Sequence, residues 1–570
     1  MNAGGERASG VPLARERRWP EEPLWWTAFA VVLAVHLSWQ LLNDAPPVWD
    51  MAYHQLKGWE TLRAWNEGRL FGDLAGLSPS YPPLYYLQEA LVLRFWPGTE
   101  FLAILSNLAG LFLLSYSTYR LAALHLSPPL APCAGFLALL FPMVAWVGRE
   151  SLLDGPLAGW VAAGGYLIVR SQFFQQRRWT FLFGLVCAAG ALTKWTFPIY
   201  LVLPVLYGTF RSRQRQKSLT NLFLAFLLSL PLLLPYYLPN LADLMARYPT
   251  THQAGWIPWL PYPRHGEPGL NNILGWIYYP RVLASYFLYL PLTLLFLVGA
   301  VGSWRRRGDW WEEPALVSPA YLWWWLAGGI LFLTFLTPKD PRFALPLAPP
   351  LAILLVYLWR NRPLWVITIA GLSLLQFLSV SLPLPWSVKL ALWERKGDRD
   401  YQSLQREWVL YATHYFDVAG PPRREHWPYR EILSSLLPGS RIGFLADLPR
   451  FHPQGLRLEA ARTGLDVQVV KLGENEEGLA ELDSLDFVIS KTGYQGVSFI
   501  TRFNSDVVEG LGQRNWRRLN SWDLPDQSQA VLWGHPPRGK SRLSSPRANS
   551  QINKKGGRGR GTGGAIHAWR

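Results

Sequence analysis

The chain has 570 residues, 50% of them hydrophobic and only 16% charged, with 31 Trp, whereas a soluble protein carries about a quarter of its residues as Asp, Glu, Lys and Arg. That composition excludes an ordinary soluble enzyme. The formal charge of +16 does not argue for nucleic acid, because much of it lies in short loops between apolar runs and in the stretch 536–570, and membrane orientation accounts for loop Lys and Arg.

In chain order, Arg15, Glu16, Arg17 and Arg18 precede the apolar run Leu24 to Leu42. No small-residue cleavage site follows that run, so it reads as a retained first helix and not as a cleaved signal peptide. Apolar runs recur to residue 382 and stop there. They predict about eleven spans, at 24–42, 101–122, 130–147, 155–169, 180–193, 195–210, 222–238, 282–302, 320–336, 343–359 and 364–382. Several are short for a ~30 Å hydrocarbon core, which predicts tilt or re-entrant geometry.

The segment Pro82 to Trp96 is the ambiguous one. If it does not cross, Arg120, Arg177 with Arg178, the run 211–217, Arg305 to Arg307, and Arg360 with Arg362 all share the cytoplasmic side with the N-terminal basic cluster. The positive-inside rule favours that arrangement, so 82–96 is expected as an amphipathic helix at the outer interface. Cys133 and Cys187 lie in apolar runs and imply no disulfide framework.

Residues 385–535 are expected to form a small α/β domain, with strands at 441–446, 466–471, 486–490 and 530–533. No glycine-rich phosphate loop follows any of these strands. Residues 536–570 contain no acid and should be a disordered basic tail, suited to anionic headgroups if it has a role at all. The fold class expected is therefore a polytopic all-α membrane protein with a small C-terminal α/β extracytoplasmic domain. Residues 1–23 would be cytoplasmic, 24–384 the membrane domain with outer loops 43–100 and 239–281, and the location the plasma (inner) membrane.

That orientation gives one aqueous face to Asp44, Asp50, Arg149, Glu150, Asp154, Lys194, Lys339, Asp340 and Arg342. Ionisable groups at the mouth of a helix bundle are costly to keep, which makes them candidates for function. Each also has a plain reading. Asp50 could N-cap a helix over 51–59 and Asp154 the following span. Arg149 and Glu150 could be an interfacial pair, and Lys194 could snorkel from a short helix. Lys339 and Arg342 stand outside against the positive-inside bias, where they would suit a phosphate. In the 239–281 loop, Trp256, Trp259, Tyr262, Arg264, His265, Trp276, Tyr278 and Tyr279 could form a lid or simply an interfacial aromatic belt.

Five stretches occur in an order that resembles a known family: WDMAYH (49–54), YPPLYYL (81–87), GRESLLD (148–154), GALTKWT (190–196) and PKDPRFALPLAP (338–349). Over about residues 24–380 the chain resembles the GT-C superfamily of membrane glycosyltransferases, particularly its protein O-mannosyltransferase and lipid A aminoarabinose transferase branch. The resemblance implies that Asp50 is the catalytic acidic residue. The Glu that usually follows is Met51 here, with Asp44 the candidate replacement. Asp154 matches the second-loop acid. Lys339 and Arg342, joined by Lys194 and Arg149, would lie near the donor phosphate, while Glu150, Tyr81, His54, Arg264 and Trp256 are candidates to contact substrate.

The implied reaction moves a sugar from a polyprenyl-phosphate donor to an acceptor hydroxyl or amine, with inversion. The acceptor is left open between protein, lipid and polysaccharide; membrane lipids are the other partner and nucleic acid is none. A divalent cation such as Mg or Mn is the candidate cofactor, without an assigned site. The rival reading is a secondary transporter or flippase of a lipid-linked or anionic substrate. Such a protein should show repeated halves and interrupted polar helices near the midplane, and neither is visible.

Overall fold

The computed structural model describes residues 22–78, 80–97, 101–251, 270, 272–305, 318–336, 339–393, 408–414, 420–473, 477–496 and 500–535, with backbone alone at 71, 73–75 and 243–251. Trp256 and Arg264 fall outside the described residues, as do most of the aromatic loop and the tail 536–570. The chain divides into two compact units. One comprises Met1–Leu241 with Pro258–Arg424, the other Ala242–Ile257 with Glu425–Arg570.

The first unit is helical. It contains Glu22–Leu42 (α1), Trp49–Asn66 (α2), Leu70–Leu77 (α3), Leu84–Phe95 (α4), Leu102–Ala122 (α5), Leu130–Leu140 (α6), Pro142–Val147 (α7), Asp154–Arg170 (α8), Arg177–Thr193 (α9), Val202–Arg211 (α10) and, as far as Leu241, the helix Arg215–Thr251 (α11). It continues with Ile273–Trp276 (α12), Tyr278–Val282 (α13), a π segment Leu283–Leu288, Tyr289–Trp304 (α14), Ala320–Phe335 (α15), a 3-10 segment Pro341–Leu347, Ala348–Trp359 (α16) and Pro363–Ser379 (α17).

Among the described residues five helical stretches are long and apolar enough to cross a membrane: Glu22–Leu42, Leu102–Ala122, Arg215–Ala242, Tyr278–Trp304 and Pro341–Trp359. α6, α15 and α17 are apolar but shorter. The expected span 130–147 is broken at Phe141, where Pro142 opens α7. Pro cannot continue the α6 hydrogen-bond ladder, which is the physical reason for the break. α4 has 12 residues; at 1.5 Å per residue it is about 18 Å long, too short to cross a ~30 Å core.

Glycine sets how closely α5 and α8 approach. A Cβ on Gly159 would lie 2.4 Å from the Gly110 carbonyl oxygen, and one on Gly110 would lie 2.6 Å from Pro156 Cα. Backbones touch there, as at small-residue crossings of membrane helices. The contact lies one turn into α8 and fixes the position of Asp154 at its start. A two-stranded antiparallel ribbon, Lys389–Trp393 (β1) and Trp408–Ala412 (β2), completes this unit, with the Tyr289 hydroxyl donating to the Ala412 carbonyl at 2.7 Å.

The second unit holds Ser440–Phe444 (β3), Val467–Lys471 (β4), Phe487–Lys491 (β5), Arg517–Asp523 (β6) and Gln529–Gly534 (β7) in the order β4-β3-β5-β7-β6. β3 runs parallel to β4 and β5, while β7 is antiparallel to β5 and β6. Alternate side chains bury on opposite faces, giving one core around Ile442, Phe444, Ile489 and Leu532 and another around Leu445, Val488, Val507 and Leu511. The four expected strands are present within a residue or two. β6 was not foreseen: its sequence RRLNSWD has no apolar alternation, and none of its residues is buried. It pairs along its length with β7 and does not rely on an inner face of its own.

Candidate active site

Four segments of the first unit meet at Arg342. Asp340 N-caps the 3-10 segment by accepting from the Arg342 backbone N–H at 3.0 Å, which directs the Arg342 side chain. Its Nη2 donates to Asp50 Oδ2 at 2.6 Å, and its Nε lies 3.0 Å from Asp340 Oδ2 and 3.8 Å from Asp154 Oδ2. Asp154 also accepts from Lys194 Nζ at 2.7 Å, with both side chains buried. The Lys194 ammonium stands 4.3 Å from the centre of the Phe343 ring, and the Tyr200 hydroxyl pins the Phe343 carbonyl at 2.9 Å. Three carboxylates thus share two cations.

The local folding explains these placements. Asp50 does not cap a helix: the N-cap of α2 is Val48, and Asp50 sits in the first turn, where an anion suits the helix dipole. Its carboxylate is 50% accessible to water, yet enough protein surrounds it to desolvate it. That desolvation raises its pKa, but the Arg342 guanidinium, helped by His54, more than offsets it and holds the carboxyl below its ordinary value. Asp154 is the first residue of α8 and likewise not the N-cap, which is Leu153. Lys194 does not snorkel outward; it ends α9 and turns to Asp154. Burial pushes Asp340 the other way, up from the ordinary carboxylate range, against the pull of Arg342.

His54, one turn beyond Asp50, shares a hydrogen bond of 2.9 Å between its Nδ1 and the Tyr86 hydroxyl. Burial lowers its pKa to about 4, so it is neutral at ordinary pH. The Tyr81 ring packs edge-on against it at 5.3 Å. Burial raises the Tyr81 phenol, with Asp50 adding to the effect.

Other candidates lie in different settings. Arg149 is buried; its Nε donates to His36 Nδ1 at 2.9 Å, its Nη1 to the Val380 carbonyl at 3.1 Å and its Nη2 to Ser381 Oγ. The Trp39 and Phe377 rings lie 5.3 and 5.6 Å from its guanidinium carbon. Lys339 is buried and donates to the Thr334 and Leu336 carbonyls at 2.6 and 3.4 Å, capping the end of α15; the Tyr278 and Tyr279 rings stand 6.0 and 5.8 Å away. Asp44 donates its backbone N–H to the Arg423 carbonyl at 2.9 Å. The main-chain oxygen of Glu150 accepts from Asn107 at 2.7 Å, and Asn107 also reaches the Val147 and Gly148 carbonyls, pinning the loop ahead of Asp154.

Two residues escaped the sequence reading. Asp340 was placed on the shared face but given no role, and it proves to orient Arg342. Glu89 was not singled out at all. It is fully buried in α4, and its sequence neighbours at three and four residues, Tyr85, Tyr86, Val92 and Leu93, are all large and mostly apolar. A Glu inside such a face is the signal that could have found it.

Among the described residues no His, Cys, Asp or Glu set of three or more is arranged to hold a metal ion. The clustered carboxylates face Arg342 and Lys194 instead, and Met51, in the position after Asp50, is buried. The donor set present does not fit a divalent cation.

No protein-family model matches the chain, and no curated protein matches it in sequence. Among solved structures it is similar to ArnT from Cupriavidus metallidurans in the apo state, at 14% identity and a TM-score of 0.55, covering 90% of this chain and 98% of that one. It is also similar to the same protein bound to undecaprenyl phosphate, at 15% identity and a TM-score of 0.52, covering 92% and 100%. At such identity the likeness is one of fold: the chain shares the fold of a lipid A aminoarabinose transferase, a member of the GT-C superfamily that its motifs resemble.

Proposed function

We propose that this chain is a membrane glycosyltransferase that moves a sugar from a polyprenyl-phosphate donor to an acceptor hydroxyl or amine, with inversion, at the outer face of the plasma (inner) membrane. In this reading eleven spans place the N-terminus inside and the α/β unit outside. The observation that carries it is the Arg342 guanidinium, which is bonded to Asp50 at 2.6 Å and sits beside Asp154 and Asp340. Acids and bases from distant segments of an apolar chain converge there. The fold shared with a protein crystallised with undecaprenyl phosphate supports a lipid-phosphate donor.

The chemistry follows from the inventory. The acceptor atom attacks the anomeric carbon from the face opposite the phosphate, the bond from that carbon to the phosphate oxygen breaks, and polyprenyl phosphate departs with the electron pair. A phosphate is stable as an anion and needs no acid, but its bridging oxygen gains charge, which Arg342 and Lys194 are placed to stabilise. The acceptor's proton passes to Asp50 as general base. Without donor, Asp50 is held by Arg342. A phosphate that takes over the guanidinium releases the carboxylate for that proton, so donor binding and activation of the base are one event. Lys339 and Arg149 would act on the donor only after leaving the carbonyls, ring nitrogen and hydroxyl that now hold them. Asp44, Glu150, Tyr81 and His54 remain proposed contributors, with Tyr81 and His54 best placed for the sugar.

The test compares envelope glycans and glycolipids by mass spectrometry in a deletion strain carrying the wild-type gene, Asp50→Asn, or neither. Asp50→Asn and the deletion should lose the same sugar adduct and accumulate the same prenyl-linked precursor. An adduct retained in the Asn variant would remove Asp50 from the mechanism.

A further inference from the structure

The face of α2 that carries Asp50 continues with His54 and Gly58, spaced four residues apart and therefore aligned along the helix. These meet Arg342, Tyr86 and Glu89 respectively. At the third position a Cβ on Gly58 would stand 2.7 Å from both Cβ and Oε2 of Glu89, so the glycine is what lets the carboxyl lie directly against the α2 backbone. Glu89 is 0% exposed. Both carboxyl oxygens are buried, and the polar groups that act on them are the Tyr85 and Ser151 hydroxyls, themselves buried and uncharged.

No cation faces this carboxyl among the described residues. Tyr85 and Tyr86 lie on its own helix. α2 contributes Tyr53 and the neutral His54, and the segment before α4 contributes Tyr81. α5 brings the uncharged Ser106 and Asn107; α9 ends in Lys194, committed to Asp154. The loop carrying Ser151 brings Glu150, whose charge acts on Tyr85, and Arg149, tied to His36. An ionised carboxylate in such surroundings would be an unpaired buried charge, which is among the costliest arrangements in a protein.

We infer that Glu89 is a positioning residue: a proton-bearing, neutral acid that locks α2 against α4, keeps Asp50 and His54 aligned with Arg342, and releases that lock when it ionises. This rests on the transferase reading for its activity readout, but the lock itself is a property of the fold. Burial, opposed by the Ser151 and Tyr85 hydroxyls, pushes its carboxyl up to about 8. The neutral form therefore prevails at neutral pH and about a tenth of it survives one pH unit higher. Because the folded protein holds a proton that the unfolded chain releases near pH 4.5, the stability from Glu89 is full below that value and lost as pH rises through about 8.

The experiment compares the full-length protein with Glu89→Gln, which keeps shape and donor but cannot ionise, and with Glu89→Asp, which keeps the acid but not its reach. Glu89→Gln should transfer sugar within about twofold of wild type near neutrality and keep that rate one unit above pH 8, where wild type falls about tenfold. Glu89→Asp should lower the rate at every pH and retain an alkaline limb. An alkaline limb left in place by Glu89→Gln overturns the proposal, and so does a Gln variant that is inactive at every pH yet melts like wild type. Thermal midpoints in detergent need no catalysis: wild type should lose stability relative to Glu89→Gln as pH rises from about 6 to 9, and parallel curves overturn the lock. Diverging curves without sugar transfer by either protein would instead overturn the transferase reading and leave the lock standing.

Discussion

Arg342 and Arg149 are both withdrawn from water at the ends of apolar helices, and the motif order assigned both to the donor phosphate. They solve the problem of a buried guanidinium in opposite ways. Arg342 leans on carboxylates, one of them half exposed; Arg149 is enclosed by a ring nitrogen, a carbonyl, a hydroxyl and two aromatic faces. A carboxylate can be exchanged for a phosphate at little electrostatic cost, because one anion replaces another. Neutral acceptors belonging to α1 and to the end of α17 cannot leave without opening the helix packing. Burial accordingly lowers the Arg149 pKa to about 9 with only Glu150 opposing, the mark of a cation held without a counterion. In the proposed reaction Arg342 is therefore the better placed of the two to take a phosphate.

The largest effect that would break this comparison is on chemistry. Asp50→Asn should reduce transfer about 10³-fold and leave the thermal midpoint near that of wild type, since the carboxylate is half exposed and the amide keeps its shape. Measured turnover together with melting decides it; a variant that fails by unfolding would make Asp50 a structural partner. Next comes Arg149→Met. Its removal leaves His36 Nδ1 and the Val380 carbonyl without that partner in a buried site, so the unfolding free energy should drop by about 3 kcal/mol while folded molecules keep their turnover. Turnover lost with stability intact would return Arg149 to the donor phosphate. A smaller effect is expected from Tyr86→Phe, which deletes the partner of His54 Nδ1. It should cost about 1 kcal/mol and a several-fold loss of rate, and an unchanged rate would show that His54 needs no such support.

How much of this was legible in the sequence follows from what a sequence can encode. Asp50, Asp154, Lys194 and Arg342 were recognisable because each is an ionisable residue at the edge of an apolar run, and they do meet. The same criterion selected Lys339 and Arg149, whose side chains bond to partners outside the Arg342 cluster: topology sorts residues by side of the membrane but says nothing of which way a side chain turns. Lys339 turns back to the open carbonyls of α15, a demand created by that helix ending where it does. Asp340 was placed on the shared face but given no role, because the cap it provides to the 3-10 segment depends on where that segment starts. Glu89 was hidden by the amphipathic reading of α4, in which a glutamate belongs on the wet face; its apolar neighbours contradict that reading. The apolar stretches were legible from composition, but the break at Pro142 and the close α5–α8 approach at Gly110 and Gly159 emerge only in the fold.

The smallest effect sharpens the comparison most directly, because it isolates the exchangeable ion pair. Burial raises the Asp50 pKa, and Arg342, with His54, more than reverses this, so the folded value lies below the ordinary 3.8. With the folded pKa depressed, the contribution of Asp50 to stability is fully present above the ordinary carboxylate value. It is lost as pH falls through the folded one. Thermal midpoints followed from neutral pH into acid should therefore fall further for wild type than for Asp50→Asn, which has no proton to gain, and the gap should open only at the acid end. The gap should also shrink in high salt, since half of the pair faces water and is screened there. Parallel curves for the two proteins would mean that Arg342 does not hold Asp50 in the ionised form. The exchange of carboxylate for phosphate would then have nothing to release.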